Sequence, residues 1–404
     1  MPVSCSDASG LMKSVLAAMA ILIPCLGHAL DVSAKSAIVI DAGSGKILWS
    51  KDADALRYPA STTKIMTAML LLEHCKPDDT IVAPDDVTKI REASMHLKPG
   101  ERISARDMLY ALMLRSANDG CYAVAKHISG SVAAFSELMN KRAKEIGCTH
   151  THFDNPNGLN DTLHYTTAHD LALMAREAMK NPAFCQAVRT YKYEIERSSD
   201  SRDLLMVNHD KYLLKDPSAD GVKTGYTVPA GHCFVGSCTR NGFHVITVVM
   251  KSDHWQLDHQ KLIHWAYDQF AVRDREVAGE PVADVPVSGG LESQVHGVLA
   301  QNAVVVVPKG LPAIATKTCQ LVADISAPVE KGQKLGDYVI RDADGFTQRI
   351  PVIADQNVPA KALVAKSKAG PFGSYGIMGA ALCLGVFLMR GKTRRIAKLY
   401  VRSK

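Results

Sequence analysis

Ser61 and Lys64 stand three residues apart where the polar approach Pro59-Ala60 gives way to the apolar run Ile65-Met66-Thr67-Ala68-Met69-Leu70-Leu71-Leu72. At the start of a helix that spacing puts amine and hydroxyl one turn apart on the same face. A hydroxyl is inert at neutral pH unless a neighbour takes its proton, and a lysine can do so only with a lowered pKa. Burial against Ile65, Met66, Met69 and Leu70, or a second cation, would lower it. The pattern alone more often marks an ordinary helix start, so its meaning depends on what else the fold must bring to Ser61.

The chain has 404 residues, 47% hydrophobic and 22% charged, enough for a large core and two domains. Its net charge of +6 does not describe a nucleic-acid groove. The last fifteen residues (Arg390, Lys392, Arg394, Arg395, Lys398, Arg402, Lys404) hold seven bases and no acid, leaving 40 bases against 41 acids elsewhere. At the other end, Ser14 to Leu26 is apolar and gives way to small residues at Gly27 and Ala29. It reads as a secretory signal, residues 1–29, cleaved after Ala29. Met12-Lys13 makes a conventional signal start, so Met12 is the expected initiator. Leu22-Ile23-Pro24-Cys25 offers a lipoprotein alternative, against which Pro24 argues.

Residues 369–389 are uncharged for 21 positions, which as a helix would span about 31 Å. The bases that follow assign 390–404 to the cytoplasm and everything before 369 to the outside, whether periplasm or outer face. A helix lying flat on the membrane is the rival, but Ile377 to Met389 has no polar face. Seven cysteines remain outside (Cys75, Cys121, Cys148, Cys185, Cys233, Cys238, Cys319). An odd number without a short repeated spacing is neither a disulfide framework nor a zinc site. Cys233 and Cys238, five apart on one strand, fall on opposite faces.

Between the ends, Ala37 to Asp41, a Gly-rich turn and Lys46 to Trp49 read as strand, turn and strand. Helices are expected over 61–75, 105–114, 131–146 and from Thr167 to Lys180, with Gly147 and Asn181-Pro182 as stops. Residues 220–250 read as strands with Asn241-Gly242 as a hairpin turn, and a helix from 256 to 270 closes this unit, residues 30–274. Residues 275–355 are short Val-rich runs separated by Gly and Pro, a small all-β domain, and 356–368 is a linker.

Two further segments bear on Ser61. Ser116-Ala117-Asn118 offers a second hydroxyl and an amide at a helix end. Lys223-Thr224-Gly225 offers a cation, a hydroxyl and an unencumbered backbone on a strand, where Gly would let a substrate approach closely. Ser116 follows Ser61 by 55 residues and Lys223 follows Ser116 by 107, and S-x-x-K and K-T-G each occur once. S-x-x-K, an S-x-N triplet and K-T-G in this order belong to penicillin-binding proteins and class A β-lactamases.

The chain resembles the low-molecular-mass penicillin-binding proteins of the D-alanyl-D-alanine carboxypeptidase type over about residues 34 to 355. The resemblance rests on Tyr58-Pro-Ala-Ser-Thr-Thr-Lys-Ile-Met-Thr67, Leu97-Lys-Pro-Gly100, Arg115-Ser-Ala-Asn-Asp-Gly120, Asn157-Gly-Leu159, Thr167-Ala-His-Asp170 and Asp220-Gly-Val-Lys-Thr-Gly225. It implies an α+β, β-lactamase/transpeptidase-like catalytic domain, mostly antiparallel sheet flanked by helices, with an all-β domain holding it off a membrane anchor. It implies peptidoglycan stem peptides ending in D-Ala-D-Ala as substrate, β-lactam antibiotics as covalent inhibitors, and no cofactor or metal. Ser61 would be the nucleophile, Lys64 its base and Ser116 the relay to the leaving amine. Asn118 would bind the substrate amide, Lys223 and Thr224 the terminal carboxylate, and the N–H groups of Ser61 and Tyr226, beside Gly225, the oxyanion.

One departure stands out. Where the family carries an Arg before the last helix of this domain, this chain has His254-Trp255, which leaves carboxylate recognition to Thr224, Lys223 and, as candidates, Lys251 or His254. His254, His259 and His264 are five apart, turning ~140° at each step on a helix, and share no ligand face. Two rival functions remain. A β-lactamase would need a deacylating carboxylate, for which Glu177-Ala-Met-Lys-Asn181 has the spacing but sits within an expected helix. A non-catalytic wall-binding scaffold would not require the intact constellation.

Overall fold

The computed structural model describes residues 30–90, 92–199 and 202–361. The expected signal, the end of the linker, the anchor and the basic tail lie outside the described residues, and among those described no helix is long and apolar enough to cross a membrane.

The chain enters through β1 (Ser36–Asp41) and β2 (Ile47–Lys51), joined by the expected tight turn. A 3₁₀ turn, Ala60–Thr63, runs into α1 (Lys64–His74). Short strands β3 (Thr80–Val82) and β4 (Arg102–Ser104) pair with each other ahead of α2 (Ala105–Tyr110). The helix expected over 105–114 widens at its end: α2 passes into a single π-helical turn, Ala111–Arg115, that ends on Ser116 in the left-handed conformation. Helix α3 (Asn118–Ser129) starts immediately and was not anticipated, because Ser116-Ala117-Asn118 reads as a stop.

Helices α4 (Val132–Ile146), α5 (Ala168–Ala178) and α6 (Pro182–Arg189) follow their caps. Ser131 and Thr167 accept backbone N–H groups at the first two N-termini, Gly147 closes α4 at φ 98°, and Pro182 opens α6. After the small β5 (Lys192–Glu194) and β6 (Leu205–Val207) come β7 (Ala219–Thr227), β8 (Gly231–Arg240) and β9 (Phe243–Ser252), then α7 (Trp255–Gln269).

The main sheet runs β2-β1-β9-β8-β7, every neighbour antiparallel, with β7 at the edge. Alternation along each strand feeds two cores. Ile38, Ile40, Val235, Ile246 and Val248 face the layer of α1 to α6, while Val39, Phe234, Val245 and Val249 face α7. Cys233 and Cys238 accordingly fall into different cores, and the seven described cysteines are free thiols.

From α7 the chain continues through β10 (Phe270–Glu276), β11 (Pro281–Pro286), β12 (Gln294–Leu299), β13 (Ala303–Pro308), β14 (Ala315–Leu321), β15 (Lys334–Asp342) and β16 (Thr347–Ala354). Five of these strands form the sheet β11-β12-β16-β15-β14, and β10 pairs with β13. Val306 of β13 belongs to the same buried cluster as Leu262 and Ile263 of α7, so the all-β part shares a core with the larger domain.

Candidate active site

The nucleophile's turn is built by its own side chains. No side chain caps α1. Instead Thr62 Oγ1 donates to the Pro59 carbonyl (2.7 Å) and Thr63 Oγ1 to the Ala60 carbonyl (2.9 Å), drawing the chain into a tight turn with Ala60 at φ 49°. Thr63 Oγ1 also lies 2.9 Å from His164 Nε2. Since His164 Nδ1 accepts the Asp154 N–H (3.0 Å), Nε2 carries the ring proton and donates to Thr63. Burial holds His164 down to about 4, so it stays neutral.

Lys64 is fully buried, and its Nζ lies 3.0 Å from Ser61 Oγ, 2.7 Å from Asn118 Oδ1 and 2.7 Å from the Asn157 carbonyl. A neutral amine has two protons and one lone pair. The two carbonyl oxygens take the protons, which leaves the lone pair for Ser61. Burial lowers Lys64 to about 8, against the opposing effects of Cys121 and Asp119.

Lys223 is also buried, donates to the Thr224 carbonyl (3.1 Å), and is lowered to about 7, by burial first and by the charge on Lys64 second. Placing both amines out of water makes it costly for both to be charged together. Asp210, which the sequence did not suggest, is raised to about 7 by its own burial and acts on Lys223 through its charge.

Ser116 is buried, held at φ 66° and ψ 36° after the π-helical turn, and its Oγ has no hydrogen-bond partner among the described residues. Asn118 N donates to the Ala93 carbonyl (2.8 Å), which ties α3 to the loop before β4. Asp119 fixes that loop, accepting from Ser94 Oγ (2.6 Å), Met95 N (3.0 Å) and Leu97 N (2.9 Å). The sequence showed Asp119 only as a neighbour of the triplet, but its role in fixing the loop required the tertiary contacts.

Gly225 lines the cavity at Ser61, and the chain itself also approaches its bare backbone: a Cβ there would lie 2.9 Å from Ser61 N and 3.1 Å from Thr62 N. Glycine lets the edge strand lie against the nucleophile's turn, which sets Tyr226 one residue from the Ser61 N–H.

These segments enclose a cavity of about 290 Å³ lined by Ser61, Ser116, Thr224, Gly225 and Tyr226, together with His209, His232 and Trp255, which sequence reasoning missed. Tyr226 and His232 face each other across β7 and β8, their rings 4.6 Å apart. Desolvation, with Lys223, Arg115 and Lys64 nearby, holds His209 down to about 4. Neither Lys251 nor His254 is in this lining. His254 is committed through its backbone N–H to Ser33 Oγ (3.0 Å), and Lys251 lines a neighbouring cavity. Among the described residues no group of three His, Cys, Asp or Glu is arranged to hold a metal.

A buried lysine at a serine, a second hydroxyl without a partner and a lysine-bearing edge strand form a site for acyl transfer. The family model described as D-alanyl-D-alanine carboxypeptidase matches residues 25–254. The chain belongs to that family. A second model, the C-terminal domain of penicillin-binding protein 5, matches residues 276–360.

Among curated relatives, the D-alanyl-D-alanine carboxypeptidase DacF of Bacillus subtilis is 31% identical over 336 residues, covering 80% of this chain and 86% of the relative. Among solved structures, a peptidoglycan synthesis regulatory factor (PBP3) from Streptococcus pneumoniae aligns with a TM-score of 0.65 and 25% identity, covering 81% of this chain and 100% of that one. Penicillin-binding protein 5 from Haemophilus influenzae, at 24% identity and a TM-score of 0.64, covers 81% of this chain and 98% of its own, and shares the fold. Within this family assignment, Glu177 is remote in character from a deacylating base. It ends α5 bound to Arg142 (3.0 Å) and Lys180 (2.7 Å).

Proposed function

We propose that this member of the carboxypeptidase family is a serine hydrolase that removes the terminal D-Ala from peptidoglycan stem peptides through an acyl-enzyme on Ser61, and that penicillin acylates the same hydroxyl. The observation that carries the reading is the Lys64 amine, buried, with two carbonyl acceptors and its third direction on Ser61 Oγ at 3.0 Å.

In the first step neutral Lys64 takes the Ser61 proton as Oγ forms a bond to the carbonyl carbon of the penultimate D-Ala. The N–H groups of Ser61 and Tyr226 hold the oxyanion. Collapse breaks the C–N bond, and Ser116 passes a proton to the leaving amine. Water then hydrolyses the ester. Asn118 orients the substrate amide. Thr224 and Lys223 take the terminal carboxylate, with His232 as the neighbour that stands in for the absent Arg on that wall. Replacing His232 by Ala is expected to raise KM for D-Ala-D-Ala peptides more than it lowers kcat.

The uncharged run 369–389 followed by seven bases supports attachment to a membrane with the catalytic part outside, and residues 1–29 support export. Fractionation of cells expressing the full chain tests this: recovery in the soluble cytoplasmic fraction would refute it.

The direct test is incubation of the purified chain with diacetyl-Lys-D-Ala-D-Ala, with and without benzylpenicillin. Release of one D-Ala, blocked by penicillin and absent in Ser61→Ala, is expected. Rapid turnover of penicillin, or release from the Ser61→Ala variant, would overturn the reading.

A further inference from the structure

Beside the Ser61 cavity lies a second of about 300 Å³, lined by Arg57, Tyr58, Thr162, Tyr165, Ala230 and Lys251 among others, and no acid is in its lining. The two cavities adjoin: Tyr58 precedes Ser61 by three residues, and its carbonyl accepts from Cys233 Sγ (3.6 Å), a residue of the first lining. The turn between β7 and β8 supplies Ala230 to the second cavity just beyond Tyr226 of the first. A bond from Thr227 Oγ1 to Asn160 Oδ1 (2.7 Å) ties that turn to the loop bearing Thr162.

Neither cation in this cavity is compensated among the described residues. Arg57 donates through Nε to Ser36 Oγ (3.1 Å), which leaves its two terminal nitrogens uncommitted, and neither Arg57 nor Lys251 pairs with a carboxylate among the described residues. Lys251 also sits at φ 51°, a conformation uncommon for a side chain of its size, where β9 and β8 shift register. An arginine fork and an ammonium lining one cavity match a carboxylate in chemistry.

We propose that this cavity is a second substrate subsite that takes a carboxylate carried by the peptide on the N-terminal side of the scissile bond. The proposal rests on the carboxypeptidase reading and deepens it. A peptide residue spans about 3.3–3.6 Å, so a side-chain carboxylate one or two residues before the reacting D-Ala reaches from Ser61 to this neighbouring cavity. Selection is for acidic stem peptides over amidated ones, and Lys251, first considered for the terminal carboxylate, serves the opposite end of the substrate.

The test compares two synthetic N-acetylated peptides ending in D-Ala-D-Ala that differ only in a glutamate or a glutamine before the first D-Ala. D-Ala release is measured for the parent chain and for Arg57→Gln, Lys251→Gln and the double variant, with melting curves to verify folding. The acidic peptide is expected to be favoured about tenfold in kcat/KM by the parent. That preference should fall as ionic strength rises, and approach unity in the double variant. Lys251→Gln, at an exposed side chain, carries the test alone if the arginine variant does not fold. Equal use of both peptides by the parent, or a preference that survives in the variants, overturns the subsite and leaves the carboxypeptidase standing. Release from neither peptide overturns both.

Discussion

Lys64 has three neighbours to satisfy and, when neutral, two protons to give, which ties its chemistry to pH. A protonated Lys64 donates to Ser61 and cannot accept from it. With its pKa lowered to about 8 by burial, the reactive fraction grows as pH rises through that value. The acylation rate, followed by D-Ala release or by penicillin labelling, should therefore climb between about pH 7 and 9. A flat profile over that interval would remove Lys64 as the base. Lys64→Ala should lower the acylation rate by about 10²–10⁴ while leaving the fold intact by circular dichroism. Ser116 is a separate case. Its hydroxyl is buried without a partner, so Ser116→Ala should cost little stability yet slow D-Ala release, and unchanged release would argue that leaving-group protonation runs elsewhere.

At the level of elements, the nucleophile's turn is clamped from both sides. His164 reaches Thr63, and the loop residue Gly158, at φ 90°, lies so close that a Cβ there would meet the Ala60 carbonyl oxygen at 1.8 Å. Gly158→Ala must displace either the loop or the turn. Because the same loop supplies the Asn157 carbonyl to Lys64, stability and acylation should fall together, by on the order of 3 kcal/mol in unfolding free energy. A variant with a parental melting temperature and parental penicillin labelling would show that the close approach is not needed. The π-helical turn Ala111–Arg115 acts similarly on the other wall, setting Ser116 at positive φ and starting α3 at Asn118, so one chain reversal delivers both side chains to the cavity.

Across the whole molecule, the turn between β1 and β2 ties the two domains. Lys46 Nζ lies 3.0 Å from Asp342, 2.6 Å from Asp344 and 3.2 Å from the Val306 carbonyl, with Lys46 and Asp342 both buried. On the opposite side Arg176 of α5 donates to the carbonyls of Ala42 (2.7 Å) and Gly43 (2.8 Å). Lys46→Met leaves the Asp342 carboxylate buried without its cation, and should cost about 3 kcal/mol. The expected readout is a lower melting temperature and faster proteolysis between the domains, with penicillin labelling of Ser61 retained. Parental melting would mean that the apolar junction around Val306 and α7 holds the domains without the ion pair.

Much of this was legible in the chain because local physics wrote it there. Ser61 and Lys64 meet because a helical turn brings positions three apart together, and the antiparallel strands of 220–250 follow from alternation around an Asn-Gly turn. Ser131, Thr167 and Gly147 mark helix ends by filling backbone bonding needs that any helix has. What the sequence could not decide were contacts between segments far apart in it. Helix α3 was missed because a polar triplet signals a stop, whereas here a π-helical turn uses it to reverse the chain. Lys-Thr-Gly did not reveal that the nucleophile's own turn packs against the bare backbone of Gly225. His232 and Trp255 joined the cavity, and Lys251 was moved to its neighbour, through strand register and a bulge that periodicity does not encode. Residue types and spacings determined the reaction this chain is equipped for, and tertiary packing decided which side chains surround it, because close approach and burial depend on what the rest of the fold brings alongside.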